Sequence, residues 1–173
     1  MGDNVTAKAV FGWRYVVRPA LRNRLVLCGM GIVLLLVVLA AFASTIAPYD
    51  PTEMKVMDAL KGPSSAHWFG TDRYGRDVLS RTIHGSRIAL GVALSSMSGA
   101  FLVGSALGLI AGFFGGWSDL AIGRVMDVLF SFPTLVLAVA ISAMLGPGLN
   151  NAVVAIAVVY APLFCRVARG PVM

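Results

Sequence analysis

Two stretches of this chain, Leu25 to Ala47 and Ile88 to Phe114, contain no charged side chain at all. They run for about 23 and about 27 residues, where a helix needs about 20 to cross a hydrocarbon core of ~30 Å. Two more apolar stretches follow, from about Leu120 to Leu145 and from Ala152 to about Arg169, with charges only near their ends. Composition agrees: 58% of residues are hydrophobic and 13% are charged, against about 25% charged in an ordinary soluble domain. The fold expected is all-α, a polytopic transmembrane helix bundle with spans near 25–47, 88–114, 120–145 and 152–169.

The net charge of +6 does not point to nucleic acid. The basic residues form no single stripe; most flank apolar blocks, where they meet lipid headgroups or set orientation. Cys28 and Cys165 lie inside apolar blocks and read as small buried hydrophobes. Residues 1–24 carry Lys8, Arg14, Arg18, Arg22 and Arg24 against one acid, Asp3. The positive-inside rule therefore keeps this end in the cytoplasm. A signal peptide is the competing reading, because Ala41-Phe42-Ala43 resembles a cleavage site, but signal h-regions run about 7–15 residues. The block from 25 is longer, which favours an uncleaved helix.

Residues 48–87 form the one long polar stretch, expected outside. It opens with Pro48-Tyr49-Asp50-Pro51, a turn signal. From Asp72 to His84 it reads as a short amphipathic helix, with Val78, Leu79 and Ile83 on one face. Asp72–Arg76, Arg73–Asp77 and Asp77–Arg81 are i,i+4 charge pairs, and Thr71 or Asp72 is placed to cap its start. Four arginines here (Arg73, Arg76, Arg81, Arg87) argue mildly against an external location, outweighed by the first span's usual control of topology.

From 88 onward the pattern is one of packing. Ser96, Ala100, Gly104, Gly108 and Gly112 recur every fourth residue, a stripe that lets a second helix approach closely. Gly115-Gly116-Trp117-Ser118-Asp119 is a tight turn, so the next helix returns antiparallel. Arg124 and Asp127 lie three apart on one face at its entry and suit a structural ion pair. Pro133 and Pro162 are expected to kink their helices. Gly146-Pro147-Gly148 makes an uncharged turn, and Arg166 and Arg169 close the last span where they can snorkel.

Catalytic chemistry is missing. There is no G-x-x-x-x-G-K-[ST] phosphate loop and no H-E-x-x-H, so neither a cofactor nor a metal is expected. Asp77, Ser80 and His84 invite a triad reading, but Ser80 and His84 on a helix are an ordinary i,i+4 pair, and no oxyanion element accompanies them. A self-contained four-helix channel or exporter would need a polar line within its spans or internal repeat symmetry, and neither is present.

The stretch His67-Trp68-Phe69-Gly70-Thr71-Asp72-Arg73-Tyr74-Gly75-Arg76-Asp77-Val78-Leu79-Ser80-Arg81 resembles the "GTD-x-x-GRD-x-x-SR" signature of dipeptide, oligopeptide and nickel ABC importer permeases of the C type. Three more matches follow in that family's order: Gly112 to Asp119 with Gly115 and Gly116; Arg124, Asp127, Phe132 and Pro133; and Gly146-Pro147-Gly148 with Arg166, Arg169 and Gly170. The resemblance covers roughly 25–170. It implies a type I ABC importer permease fold of six helices in the bacterial inner membrane, both termini cytoplasmic. It implies three kinds of partner besides lipid: a homologous second permease subunit, two cytoplasmic ATP-binding subunits, and an external substrate-binding protein. ATP hydrolysis is expected in those separate subunits, so this chain itself is not expected to be an enzyme. It also implies a coupling loop and two more helices after the fourth span, so the chain resembles a C-terminally truncated permease. The expectation is that residues 1–173 alone do not couple ATP hydrolysis to transport; a non-transporting membrane fragment is the alternative. Residues 88–173 are read as the start of the permease transmembrane domain.

Overall fold

The computed structural model describes residues 22–172. The basic segment expected to be cytoplasmic lies mostly outside them. The chain divides into two compact units, Met1–Arg87 and Ile88–Met173, taken here one at a time.

In the first unit, α1 (Arg24–Ala41) starts where the Asn23 side chain accepts a hydrogen bond from Leu25 N–H at 2.9 Å. At 1.5 Å per residue, 18 residues reach about 27 Å. A four-residue turn, α2 (Ala43–Ile46), continues it past a break at Phe42. Nearly all of α1 is exposed, Cys28 included, and Ala40 is its one buried residue. Cys28 was expected to be buried; instead it is exposed. The loop after Ala47 turns where Asp50 Oδ1 accepts from Thr52 N–H at 2.7 Å. It then holds a single 3-10 turn, Val56–Asp58.

α3 (Val78–Phe114) is one helix of 37 residues, about 55 Å long. The separate amphipathic helix expected at 72–84 does not exist. Residues 72–77 are a tight turn, and 78–84 are the first two turns of the span itself. Gly75 at φ +72 is the reason, because a left-handed residue ends any helical run from Asp72.

The second unit contains the rest of α3, α4 (Gly116–Ser131), α5 (Thr134–Leu145) and α6 (Leu149–Arg169). The small-residue stripe does what its spacing predicts. A Cβ on Gly104 would run into the Ala161 carbonyl oxygen, and one on Gly108 into that of Cys165, so backbone meets backbone. Ser96, Ala100 and Ala111 are buried along the same face. Ala111 replaces the expected Gly112, which is half-buried. Cys165 is buried in α6, as expected.

The third apolar block is not one kinked helix. α4 and α5 meet at 101°, because Pro133 forces Phe132 into extended backbone (φ −93, ψ 142) and a new helix starts at Thr134. Three helices, α1, α3 and α6, are each long and apolar enough to cross a membrane; α4 and α5 qualify only together. Packing decides how the pair counts. Gly99 approaches Ala157, Gly104 approaches Ala161, and Gly108 approaches Cys165, so both chains advance in step and α3 and α6 run parallel. Two parallel spans joined in sequence require a return crossing between them. α4 and α5 supply it as one broken span. α6, by contrast, passes through Pro162 as unbroken helix.

Candidate functional site

Two clusters gather the residues singled out in the sequence, one in each unit. The first is a knot built from residues 67–81. Thr71 and Asp77 form an isolated antiparallel bridge, and the turn between them is organised by Asp72. Its Oδ1 accepts from the backbone N–H of Tyr74 at 2.8 Å and of Arg76 at 3.1 Å. Its Oδ2 accepts from Arg76 Nε at 2.8 Å and from Arg81. Partial burial pushes the Asp72 carboxyl up, but the Arg76 side chain and these backbone donors outweigh it and hold the group well below the usual carboxylate range. The expected Asp72–Arg76 pair therefore forms, while Arg73–Asp77 and Asp77–Arg81 do not. Arg81 turns to Asp72, and Arg73 lies beside the Tyr74 ring.

Asp77 is buried, and it is the centre of the knot. Its Oδ2 accepts from Ser80 N–H at 2.7 Å, the N-cap bond of α3. Its Oδ1 lies 2.9 Å from His67 Nδ1. Desolvation pushes this carboxyl up, but the bonds from Ser80 and His67 prevail and lower it. An ionised carboxylate only accepts, so His67 Nδ1–H donates. His67 stacks at 4.8 Å on Tyr49. Tyr49 N–H donates to the buried Ser80 Oγ at 3.1 Å, and Tyr49 O–H donates to Ala66 O at 2.9 Å. The triad reading fails on this geometry. The Ser80 hydroxyl faces a backbone N–H, and His84 Nδ1–H donates to the Ser80 carbonyl at 3.0 Å. Base and nucleophile never meet.

The two signature glycines share the same two reasons. Gly70 (φ +71) and Gly75 (φ +72) both occupy left-handed backbone, and each is also overlaid by another segment. A Cβ on Gly70 would sit 2.5 Å from Lys61 O, and one on Gly75 would run into Lys55 O. Thr71 completes this seam. Its Oγ1 accepts from Lys61 N–H at 2.9 Å and donates to Asp58 O, while its N–H donates to Lys61 O at 3.0 Å.

Beside the knot is a groove of about 670 Å³ lined by Leu36, Leu39, Trp68, Phe69, Leu79 and Ile83 among others. Its lining is mostly apolar, with Tyr49, Ser65, Thr82 and Ser86 as the polar side chains and no carboxylate or ammonium group.

The second cluster closes the other unit. Arg169 pairs with Asp119 at 2.6 Å, and Arg166 with Asp127 at 3.5 Å while lying 4.7 Å over the Phe130 ring. The expected Arg124–Asp127 pair is absent among the described residues, because Asp127 meets Arg166 on the facing helix instead. Arg124 lines a cleft of about 200 Å³ with Asp119, Asp127 and Arg169. The Asp119–Arg169 contact puts the start of α4 and the end of α6 at the same end of the unit. Gly115 (φ +58) and Gly116 (φ +52) make the junction from α3 to α4, which is tighter than the expected 115–119 turn, since residues 117–119 already belong to the first turn of α4; Pro133 sits at the α4–α5 break, in neither cluster. His67 and Tyr49 were missed in the sequence, as were the cross-helix partners of Asp119 and Asp127. Nothing in local spacing marks a partner ten or fifty positions away.

Fold and motif together define an all-α, polytopic membrane protein. Residues 13–63 match the N-terminal TM domain of oligopeptide transport permease C. Across the stretch it spans, the chain is similar to C-type permease proteins of peptide transport systems. It is 41% identical over 165 residues to the dipeptide transport system permease protein DppC of Alkalihalophilus pseudofirmus, covering 95% of this chain and 54% of that protein. It is 43% identical over 159 residues to the glutathione transport system permease protein GsiD of Pectobacterium atrosepticum, covering 91% and 53%. It is 44% identical over 157 residues to the di/tripeptide transport system permease protein DppC of Pseudomonas aeruginosa, covering 87% and 52%. The chain thus spans about half the length of the curated relatives it matches.

Proposed function

We propose that this chain serves as a membrane permease subunit of an ATP-driven importer for small peptides, forming part of the translocation pathway. The observation that carries the reading is identity of 41–44% to dipeptide, di/tripeptide and glutathione permeases over most of the chain. Under this reading the α3–α6 bundle is the moving scaffold, and the parallel α3–α6 seam is its rigid part. ATP hydrolysis takes place in two separate cytoplasmic subunits, a homologous second permease completes the pathway, and an external binding protein delivers the peptide. The N-terminus lies in the cytoplasm of the inner membrane, which puts the 67–81 knot outside and the Asp119–Arg169 end inside, on the side of the ATP-binding subunits. Affinity purification from membranes tests this. A tagged chain is expected to retrieve a second membrane-spanning chain and an ATP-binding subunit in stoichiometric amounts. Retrieval of neither overturns the reading.

A further inference from the structure

The loop from Met54 to Lys61 has an unusual division between its two sides. Its backbone is fastened inward. Leu60 N–H donates to Asp72 O at 3.1 Å, Lys61 exchanges bonds with Thr71, and Asp58 O accepts from the Thr71 hydroxyl. Lys55 O and Lys61 O rest on Gly75 and Gly70 so closely that neither glycine tolerates a Cβ. Its apolar side chains face outward. Met54 is 60% exposed, Val56 79%, Met57 91% and Leu60 77%. A flexible polar loop has no reason to hold four large apolar groups in water, and these are not held by packing within the unit. Leu60 is the one non-glycine residue at positive φ among the described residues (φ +56). A leucine stays there only where its surroundings over-determine it. The signature residues are those surroundings.

We propose that the signature glycines and Thr71 exist to hold residues 54–61 as a display loop, and that Met54, Val56, Met57 and Leu60 dock on an apolar, uncharged patch of a second, permanently assembled membrane chain. The charges around the loop choose between possible occupants. Glu53 pairs with Lys55 at 3.2 Å and Asp58 pairs with Lys61, so the loop's own charges cancel and are internally satisfied, while the exposed Arg73 belongs to the knot and lies against Tyr74. A loop built to enter an anionic lipid surface carries uncompensated lysine and arginine, and this one has none to spare. A surface for transient encounter with a soluble protein is more polar than this; permanently bound interfaces are the apolar ones. The inference rests on the permease-subunit reading, because that reading supplies a second membrane chain.

Photo-crosslinking in membranes that hold the complete transport complex tests it. With a benzophenone amino acid in place of Met57, light is expected to join this chain to the second membrane-spanning chain. Adducts with lipid alone, or with a soluble protein alone, overturn the proposal. In a second arm, Val56→Asp with Met57→Asp is expected to cut recovery of the second chain at least tenfold while the Thr71 amide keeps its hydrogen-exchange protection. Unchanged recovery overturns the proposal just as firmly. Failure of the underlying reading looks different: the wild-type chain then retrieves no second membrane chain at all.

Discussion

Replacing Asp77 by alanine removes the centre of the knot, and the structure says how much that costs. The Asp77 carboxylate caps α3 through Ser80 N–H and accepts from His67 while buried. Losing an N-cap costs about 1 kcal/mol. Losing a hydrogen bond to a buried charged group costs about 2 kcal/mol, so the loop weakens by about 3 kcal/mol. A pair exposed to solvent, as the sequence pattern alone suggests for Asp77, contributes only a few tenths; burial is what raises the figure. Every 1.4 kcal/mol is about tenfold in an equilibrium. Hydrogen exchange at Tyr49, Thr71 and Ser80 in the purified complex is therefore expected to accelerate by about 10²-fold, provided the loop opens locally. Asp77→Asn keeps an oxygen for the cap and loses the charge, so its effect is expected near tenfold. Exchange in Asp77→Ala at the wild-type rate would refute the reasoning outright, because the two bonds would then hold nothing.

Gly75→Ala combines a left-handed φ with collision against Lys55 O; loss of loop protection beyond that of Asp77→Asn, read by the same exchange experiment, is the expected result. Gly104→Leu overpacks the α3–α6 seam and is expected to destabilise the second unit by about 1–3 kcal/mol or more, seen as lowered thermal stability in detergent. Gly91→Ala, which meets no atom within 4 Å, is expected to leave it unchanged or raised. Asp72 and Asp77 both have carboxyls held below their ordinary value of 3.8. Their contribution is thus fully present above that value and lost as pH falls through the lower folded values. Loop protection is expected to stay flat from neutral pH to about pH 4 and fall only below it, as limited proteolysis across that range reports. Arg169→Gln breaks the pair with Asp119 and is expected to speed proteolysis at the start of α4, with Asp119→Asn in the same chain recovering part of the loss.

Most of the helical layout was legible because uncharged length is a direct physical signal. The α3–α6 seam was legible for the same kind of reason, since small residues every fourth position mark a close approach. The turn at 72–77 was not. Asp72, Arg76, Asp77 and Arg81 have perfect helical charge spacing, but Asp72 instead wraps the backbone of Tyr74 and Arg76, and Gly75 takes a left-handed φ. The same spacing serves a knot as well as a helix, and only the glycine breaks the tie. The break at Pro133 was visible as a kink and not as a 101° turn. Proline fixes where a helix yields, while the packing of α4 and α5 on α6 fixes how far. The partners of Asp77, Asp119 and Asp127 were hidden because each lies on another segment.

The central proposal is that this chain forms part of a peptide importer. ATP-dependent uptake of a labelled dipeptide into proteoliposomes tests it most directly, comparing the complete complex containing this sequence with the same complex lacking it. Uptake is expected only when this sequence and ATP are both present. Equal uptake without the sequence would contradict the account.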